Sequence, residues 1–265
     1  MKETEKSLRS ICAALAAALM GALLALPAFA QNSAAMPDDF SGVWTRDPLR
    51  GNLPSMMAKP TDRTFTLADG SPIPLLPAAE KIYRERVAQS LTEHVFATTQ
   101  SRCLPIGTPG NMMGAPYPIQ FVQRPEFAVI LFEEGWGFRP IYMNGTHPDR
   151  IFPSFFGHSI GHWEGKTLVL DTVALRADTT LNATGLPHST NMRVIERLSR
   201  SDPDTLVDQI EIRDPETYSK PFVFTSVFTK TDVFHKREEP MIEYICEDSR
   251  IQVTPDGRQT YGDEK

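Results

Sequence analysis

The stretch from Phe155 to Thr172 carries His158, His162, Glu164 and Asp171, the densest run of titratable side chains in the chain. His147, His158 and His188 each sit beside Pro, Gly or Ser, in turn-like surroundings rather than on an apolar face. An imidazole in such a place titrates near neutrality and has two usable nitrogens, which suits proton transfer. Holding loop backbone by hydrogen bonds is the structural alternative for each of them. Asp171 follows the apolar run Leu168-Val169-Leu170, where a carboxylate can orient a histidine. His188, His158, Asp171 and His147 are therefore the candidate catalytic residues. His162 reads as a surface residue, and His94 and His235 have no supporting context.

Other chemistry is less well supported. A metal centre needs three or four ligands that converge, and the chain has no His-Glu-x-x-His and no Cys-x-x-Cys. His158 and His162 on one strand would lie about 13 Å apart, too far to share an ion. No metal and no cofactor is expected. Gly157-x-Ser159-x-Gly161 matches a nucleophile elbow literally, but that motif needs a following helix, and a turn and a second strand follow here. Glu196 and Arg197 are adjacent on a strand and must face opposite ways; the same holds for Arg139 and Tyr142, so only one of those two can look inward. Tyr142 and Arg139, with Tyr117 and Trp136, are the candidate substrate-binding residues. Met112, Met113, Phe155 and Phe156 add apolar surface suited to a ring-bearing ligand.

These residues must be placed mainly by strands. Trp163-Glu164-Gly165-Lys166 between two strand-forming runs reads as a hairpin turn. Strands are expected at Ile119–Gln123, Phe127–Glu133, Gly137–Met143, Ser159–Trp163, Thr167–Val173, Met192–Ser199, Thr205–Arg213, Phe222–Thr231 and Met241–Cys246. A first strand starts near Gly42-Val43-Trp44 and is expected to end at Asp47-Pro48, and a short one is possible at Thr64–Leu67. Pro77–Gln89 is the single helix candidate, with Ile82, Tyr83, Arg86 and Val87 as its stripe. Thr98–Pro118 reads as a long Gly- and Pro-rich loop. The fold class is all-β: a single antiparallel barrel with one short flanking helix and long loops.

Residues 1–30 have the features of an export signal: Lys2, Lys6 and Arg9, an apolar run from Ile11 to Leu26, then Ala28-Phe29-Ala30. The domain is then expected over 31–253, with a polar tail over 254–265. Removing three basic and two acidic residues takes the formal charge from −6 to −7. An acidic chain argues against sequence-independent nucleic-acid binding, and no stable membrane insertion is expected once the leader is cleaved. The location implied is the periplasm or the exterior. Cys103 and Cys246 then form an even pair in an oxidising compartment, which favours a disulfide over two free buried thiols.

The ordered series Cys103-Leu-Pro-Ile-Gly107, Pro116-Tyr-Pro118, Gly157-His-Ser-Ile-Gly161, Trp163-Glu-Gly165, Thr167-Leu-Val169, Asp171-Thr172, Pro187-His-Ser189 and Glu243-Tyr-Ile-Cys246 resembles a large family of exported bacterial proteins, most of them without an assigned activity. The resemblance implies a lipocalin-like or calycin-like barrel in the periplasm, over about residues 38 to 250. The family tends to carry Asp-Gly-Arg before the His-Pro of its central loop; this chain has Asn144-Gly145-Thr146. Two functions fit. One is a cofactor-independent acid–base enzyme of lyase, isomerase or hydratase type acting on a small hydrophobic ring compound. The other is a lipocalin-style carrier that binds such a molecule without turnover.

Overall fold

The computed structural model describes residues 36–51, 67, 70–92, 98–113, 117–182, 184–230, 241–244, 246, 251–253 and 259–261. The expected leader over residues 1–30, Thr64 to Thr66, His94 and His235 lie outside them. Nine strands close into a barrel in sequence order: β1 (Gly42–Gly51), β2 (Ile119–Gln123), β3 (Phe127–Phe132), β4 (Phe138–Met143), β5 (His158–Glu164), β6 (Thr167–Val173), β7 (Arg193–Asp202), β8 (Thr205–Arg213) and β9 (Phe222–Thr229). Among the described residues two α-helices accompany them, α1 (Pro77–Thr92) and the single turn α2 (Gly110–Met113). None of the described helices is long and apolar enough to cross a membrane.

The all-β barrel expected from the sequence is present, with one difference in strand direction. Neighbours in a closed ring of nine strands cannot all be antiparallel, because an odd number does not alternate around a circle. The parallel pair falls between β4 and β5, with Tyr142 opposite Ile160. A parallel pair needs a crossover rather than a tight turn. The connection over 144–157 supplies it, and this connection carries His147.

Other boundaries moved for identifiable reasons. β1 runs through Asp47-Pro48 instead of stopping there. Its register against β9 jumps between Arg46 and Gly51, and a bulge tolerates a residue with no N–H to donate. The segment from Met241 to Cys246 is not a strand in its described residues; β9 already pairs with β1, so the closed sheet offers no edge there. Ile242 N–H instead donates to Glu133 Oε2 at 2.9 Å, and the Tyr244 ring packs edge-on against Tyr117. The expected tail is partly structured, since β10 (Ile251–Val253) pairs with β11 (Gln259–Tyr261). The long loop contains a 3₁₀ turn at Thr99–Arg102 as well as α2. On α1 the buried stripe is Ala79, Tyr83, Val87 and Ser90, and Ile82 is exposed.

Alternation fills the lumen with Trp44, Phe121, Ile130, Ile141, Leu168, Leu170, Phe224 and Phe228, each at most 1% exposed. Such values leave no water-sized space beside these side chains. Trp44 Nε1–H donates to the Phe40 carbonyl at 2.8 Å, and Ser226 Oγ–H donates to the Met112 carbonyl at 2.7 Å, seating α2 against the inner face of β9.

Cys103 and Cys246 are bonded, as expected, across 143 residues. A bridge closing so long a loop is worth about 2–5 kcal/mol. Reducing it, or making Cys246→Ser, should lower the urea midpoint of unfolding correspondingly. An unchanged midpoint would mean that the bond holds only the C-terminal segment.

Candidate functional site

The candidate residues separate into three places. Tyr142, His147, His158 and Asp171 come together on the outer face of the barrel. Arg139 is in the lumen. His188 and Tyr117 lie apart from both, and the side chain of Trp136 is outside the described residues.

The outer cluster follows from strand alternation. On β4, Arg139 and Ile141 point inward and are fully buried, so Tyr142 points out and is 45% exposed. On β5, Ser159 and Gly161 point inward, so His158 faces out; on β6, Asp171 does so between Leu170 and Thr172. Ile160 stands opposite both Tyr142 and Asp171, which places His158 one step along the same face. His147 is brought over them by the crossover. Asn144 begins that loop at φ +55°, its N–H donating to the Gly161 carbonyl at 2.6 Å. Gly157 ends it at φ +66°, where a Cβ would lie 2.5 Å from the Val173 carbonyl oxygen; no other residue fits there without moving the backbone.

The resulting contacts form a chain. Arg193 donates from Nε to Asp171 Oδ1 at 2.7 Å and from Nη2 to Oδ2. His147 Nε2 lies 3.6 Å from Asp171 Oδ2, and His147 Nδ1 lies 2.9 Å from His158 Nδ1. Burial pushes the Asp171 carboxyl up, but Arg193 and His147 together outweigh it and hold the group below the usual carboxylate range. His147 Nε2 makes no hydrogen bond among the described residues, but the charge of the ionised Asp171 3.6 Å away favours the proton there, leaving Nδ1 as a lone pair. His158 then donates from its own Nδ1, and its Nε2 carries the free lone pair. Among the described residues nothing bonds His158 Nε2. Burial, and then the neighbouring His147, lower the His158 pKa, so the ring is neutral at pH 7.

Aromatic rings flank this pair. Tyr142 stacks on His158 with centroids 5.0 Å apart and planes within 15°, and Phe127 packs on Tyr142 at 5.8 Å. Phe127, Tyr142, His158 and His147 thus make a continuous strip of four rings on the outside of the barrel.

The lumen site is closed instead. Arg139 donates from Nε to Ser159 Oγ at 2.8 Å, from Nη1 to Glu196 Oε1 at 2.9 Å and from Nη2 to Thr172 Oγ1 at 2.6 Å, with a further bond to Glu196 Oε2. Each of the three guanidinium nitrogens has a partner and none is exposed, so Arg139 cannot meet a substrate in this state. Ser159, used in the same network, is equally inaccessible. Asp208, also fully buried, has no donor on either oxygen. Burial, then the adjacent Glu196 carboxylate, push Asp208 well above the usual carboxylate range, with Arg139 opposing. One guanidinium balances one carboxylate, and the second is carried as the neutral acid.

His188 is buried. Its Nδ1 donates to the Ser189 carbonyl at 2.9 Å, and its Nε2 lies 2.6 Å from Thr179 Oγ1. The same Pro187-His188-Ser189 segment is held by Tyr218 Oη–H donating to the Pro187 carbonyl at 2.6 Å, and by Ser189 N–H and Oγ–H donating to Asp214. Burial lowers the His188 pKa more than Ser189 and Asp214 raise it. A histidine that folds in the neutral form contributes stability above its ordinary pKa of about 6.5, which is lost as pH falls through the lowered value. His188→Gln should therefore be less stable at pH 7.5 by about 1–3 kcal/mol, and lose less than the native protein between pH 7 and 5. Urea titrations at several pH values check both; parallel pH curves would contradict the assignment.

No family model, curated protein or solved structure matches the chain. The site therefore rests on its own geometry. Sequence reading missed Arg193, whose pairing with Asp171 depends on the β6–β7 register, and Asp208. Asp208 did leave a signal, as the one acid in the inward series Leu206, Asp208, Ile210 and Ile212. Tyr117 packs on Tyr244 beside the disulfide segment. Among the described residues no group of three His, Cys, Asp or Glu side chains could hold a metal ion.

Proposed function

We propose that the protein is an acid–base enzyme of lyase, isomerase or hydratase type whose base is His158 Nε2, acting on a small hydrophobic ring compound laid on the Phe127–Tyr142 strip. The observation that carries this reading is the 2.9 Å contact between His147 Nδ1 and His158 Nδ1, backed by Asp171. With the His147 proton on Nε2, beside Asp171, the contact makes His158 the donor and leaves the lone pair of its Nε2 free. As the proton moves to His158, positive charge develops on a face that already carries the ionised Asp171 carboxylate. That stabilisation grows in the transition state, which is where it accelerates a reaction. Tyr142, stacked rather than hydrogen-bonded, would position a ring and could donate its hydroxyl proton to a developing oxyanion. The export signal and the family resemblance support placing this activity in the periplasm.

The closed barrel is also compatible with lipocalin-like ligand binding, which keeps the carrier as the second reading. A ligand in the lumen would have to displace side chains at most 1% exposed, whereas the outer strip is open. Incubating the oxidised mature protein with mixed steroids, terpenoids and aromatic dimers separates the two. Chromatography with mass detection, following retention time because an isomerase leaves mass unchanged, should reveal a new peak. Compounds that co-purify unchanged would make the protein a carrier.

A further inference from the structure

A cavity of about 430 Å³ lies apart from the histidine strip, between the segment from Ser71 to Leu75, the first turns of α1 and Lys220. Its size is in the range of small-molecule sites. Ile73, Leu75 and the ring of Tyr83 give it an apolar floor. That floor is held rigidly. Leu75 bridges to Tyr218, Leu76 N–H donates to the Thr217 carbonyl at 2.9 Å, and Ser219 N–H donates to the Pro74 carbonyl at 2.8 Å. Tyr83 is 4% exposed and its hydroxyl is engaged with Thr184 Oγ1 at 3.0 Å, so it presents carbon to the cavity.

The polar rim is charge-unbalanced. Arg84 and Glu80 pair at 2.6 Å and cancel. Lys220 is exposed, and among the described residues it has no hydrogen-bond or ion-pair partner. Lys220 also lines a second cavity of about 120 Å³ with Arg213 and Asp214, but that carboxylate already accepts from Ser189 N–H and Oγ–H and from Glu216 N–H. The ammonium therefore remains available over an apolar floor.

We infer that this cavity binds a small monoanionic amphiphile, its apolar body on Ile73, Leu75 and Tyr83 and its single acidic group on Lys220. The site is independent of the histidine strip. An organic acid of this kind matches both the floor and the one uncompensated charge; a dianion would leave its second charge unmatched, and a cation would meet Lys220.

The probe is 8-anilinonaphthalene-1-sulfonate, with N-phenyl-1-naphthylamine as the same ring body without the sulfonate. Fluorescence titration of the oxidised protein should give saturable binding of the sulfonate at one site. Lys220→Glu, a surface change that leaves the fold intact, should raise its Kd about tenfold or more. The Kd of the neutral probe should not change. Ser71→Trp, which fills the rim, should weaken both probes. Absence of saturable binding, an unchanged sulfonate Kd in Lys220→Glu, or an equal shift for both probes in that variant would each overturn the inference.

Discussion

Arg139→Leu should destabilise the protein by about 3–5 kcal/mol, because it leaves the buried Glu196 carboxylate without its cation. For a domain of this size that is a fall in Tm on the order of 10 °C. The guanidinium is the only cation bonded to Glu196 among the described residues, and it also ties β4 to β5 and β6 through Ser159 and Thr172. The loss should come from unpaired buried charge rather than lost volume, so a companion variant separates the two. Arg139→Leu combined with Glu196→Leu and Asp208→Leu should recover most of the stability, since a packed apolar core replaces a buried ion pair at little cost. Asp208→Asn alone should stabilise. Its carboxyl is pushed up in the fold, so the native protein loses stability as pH rises from the unfolded carboxylate range toward the raised value. The amide stays neutral without that cost, and its advantage should widen with pH. Urea unfolding of all three variants measures this; an Arg139→Leu protein within 1 kcal/mol of native would contradict it.

His158→Ala should lower kcat about 10²–10⁴-fold while leaving the barrel folded. The side chain is on the outer face and half-buried, so little core is lost. Asp171→Asn should cost less, about tenfold, because it removes the bias on the His147 tautomer and leaves the base in place. In the native protein kcat/KM for the proposed reaction should fall as pH drops below the histidine range, at a value under about 6.5, since burial and His147 both disfavour protonated His158. His188→Gln should alter stability but not the shape of that profile, because both of its nitrogens are engaged in the loop.

Much of the barrel was legible because period-two alternation and Gly- or Asn-marked turns act locally. Thr167–Val173 and Thr205–Arg213 have the bounds their sequences indicate. Two things needed the third dimension. The parallel β4–β5 pair follows from closing an odd number of strands, and the fate of Met241–Cys246 follows from the sheet having no remaining edge. The site divides in the same way. Alternation indicated that only one of Arg139 and Tyr142 looks inward, but which one depends on Arg139 finding Glu196, 57 residues away. The convergence of His147 with His158 and Asp171 depends on the crossover that the parallel pair imposes. Nothing in the local context of His188 distinguishes it from those two; only burial does.

The most direct test is to incubate the native protein and His158→Gln with the same ring compounds in D₂O and follow deuterium incorporation by mass. A base that removes a carbon-bound proton and returns one from solvent should add one mass unit to substrate or product with the native protein, and none with His158→Gln. Equal incorporation by both proteins, or none by either while the compounds bind unchanged, would contradict His158 as the catalytic base.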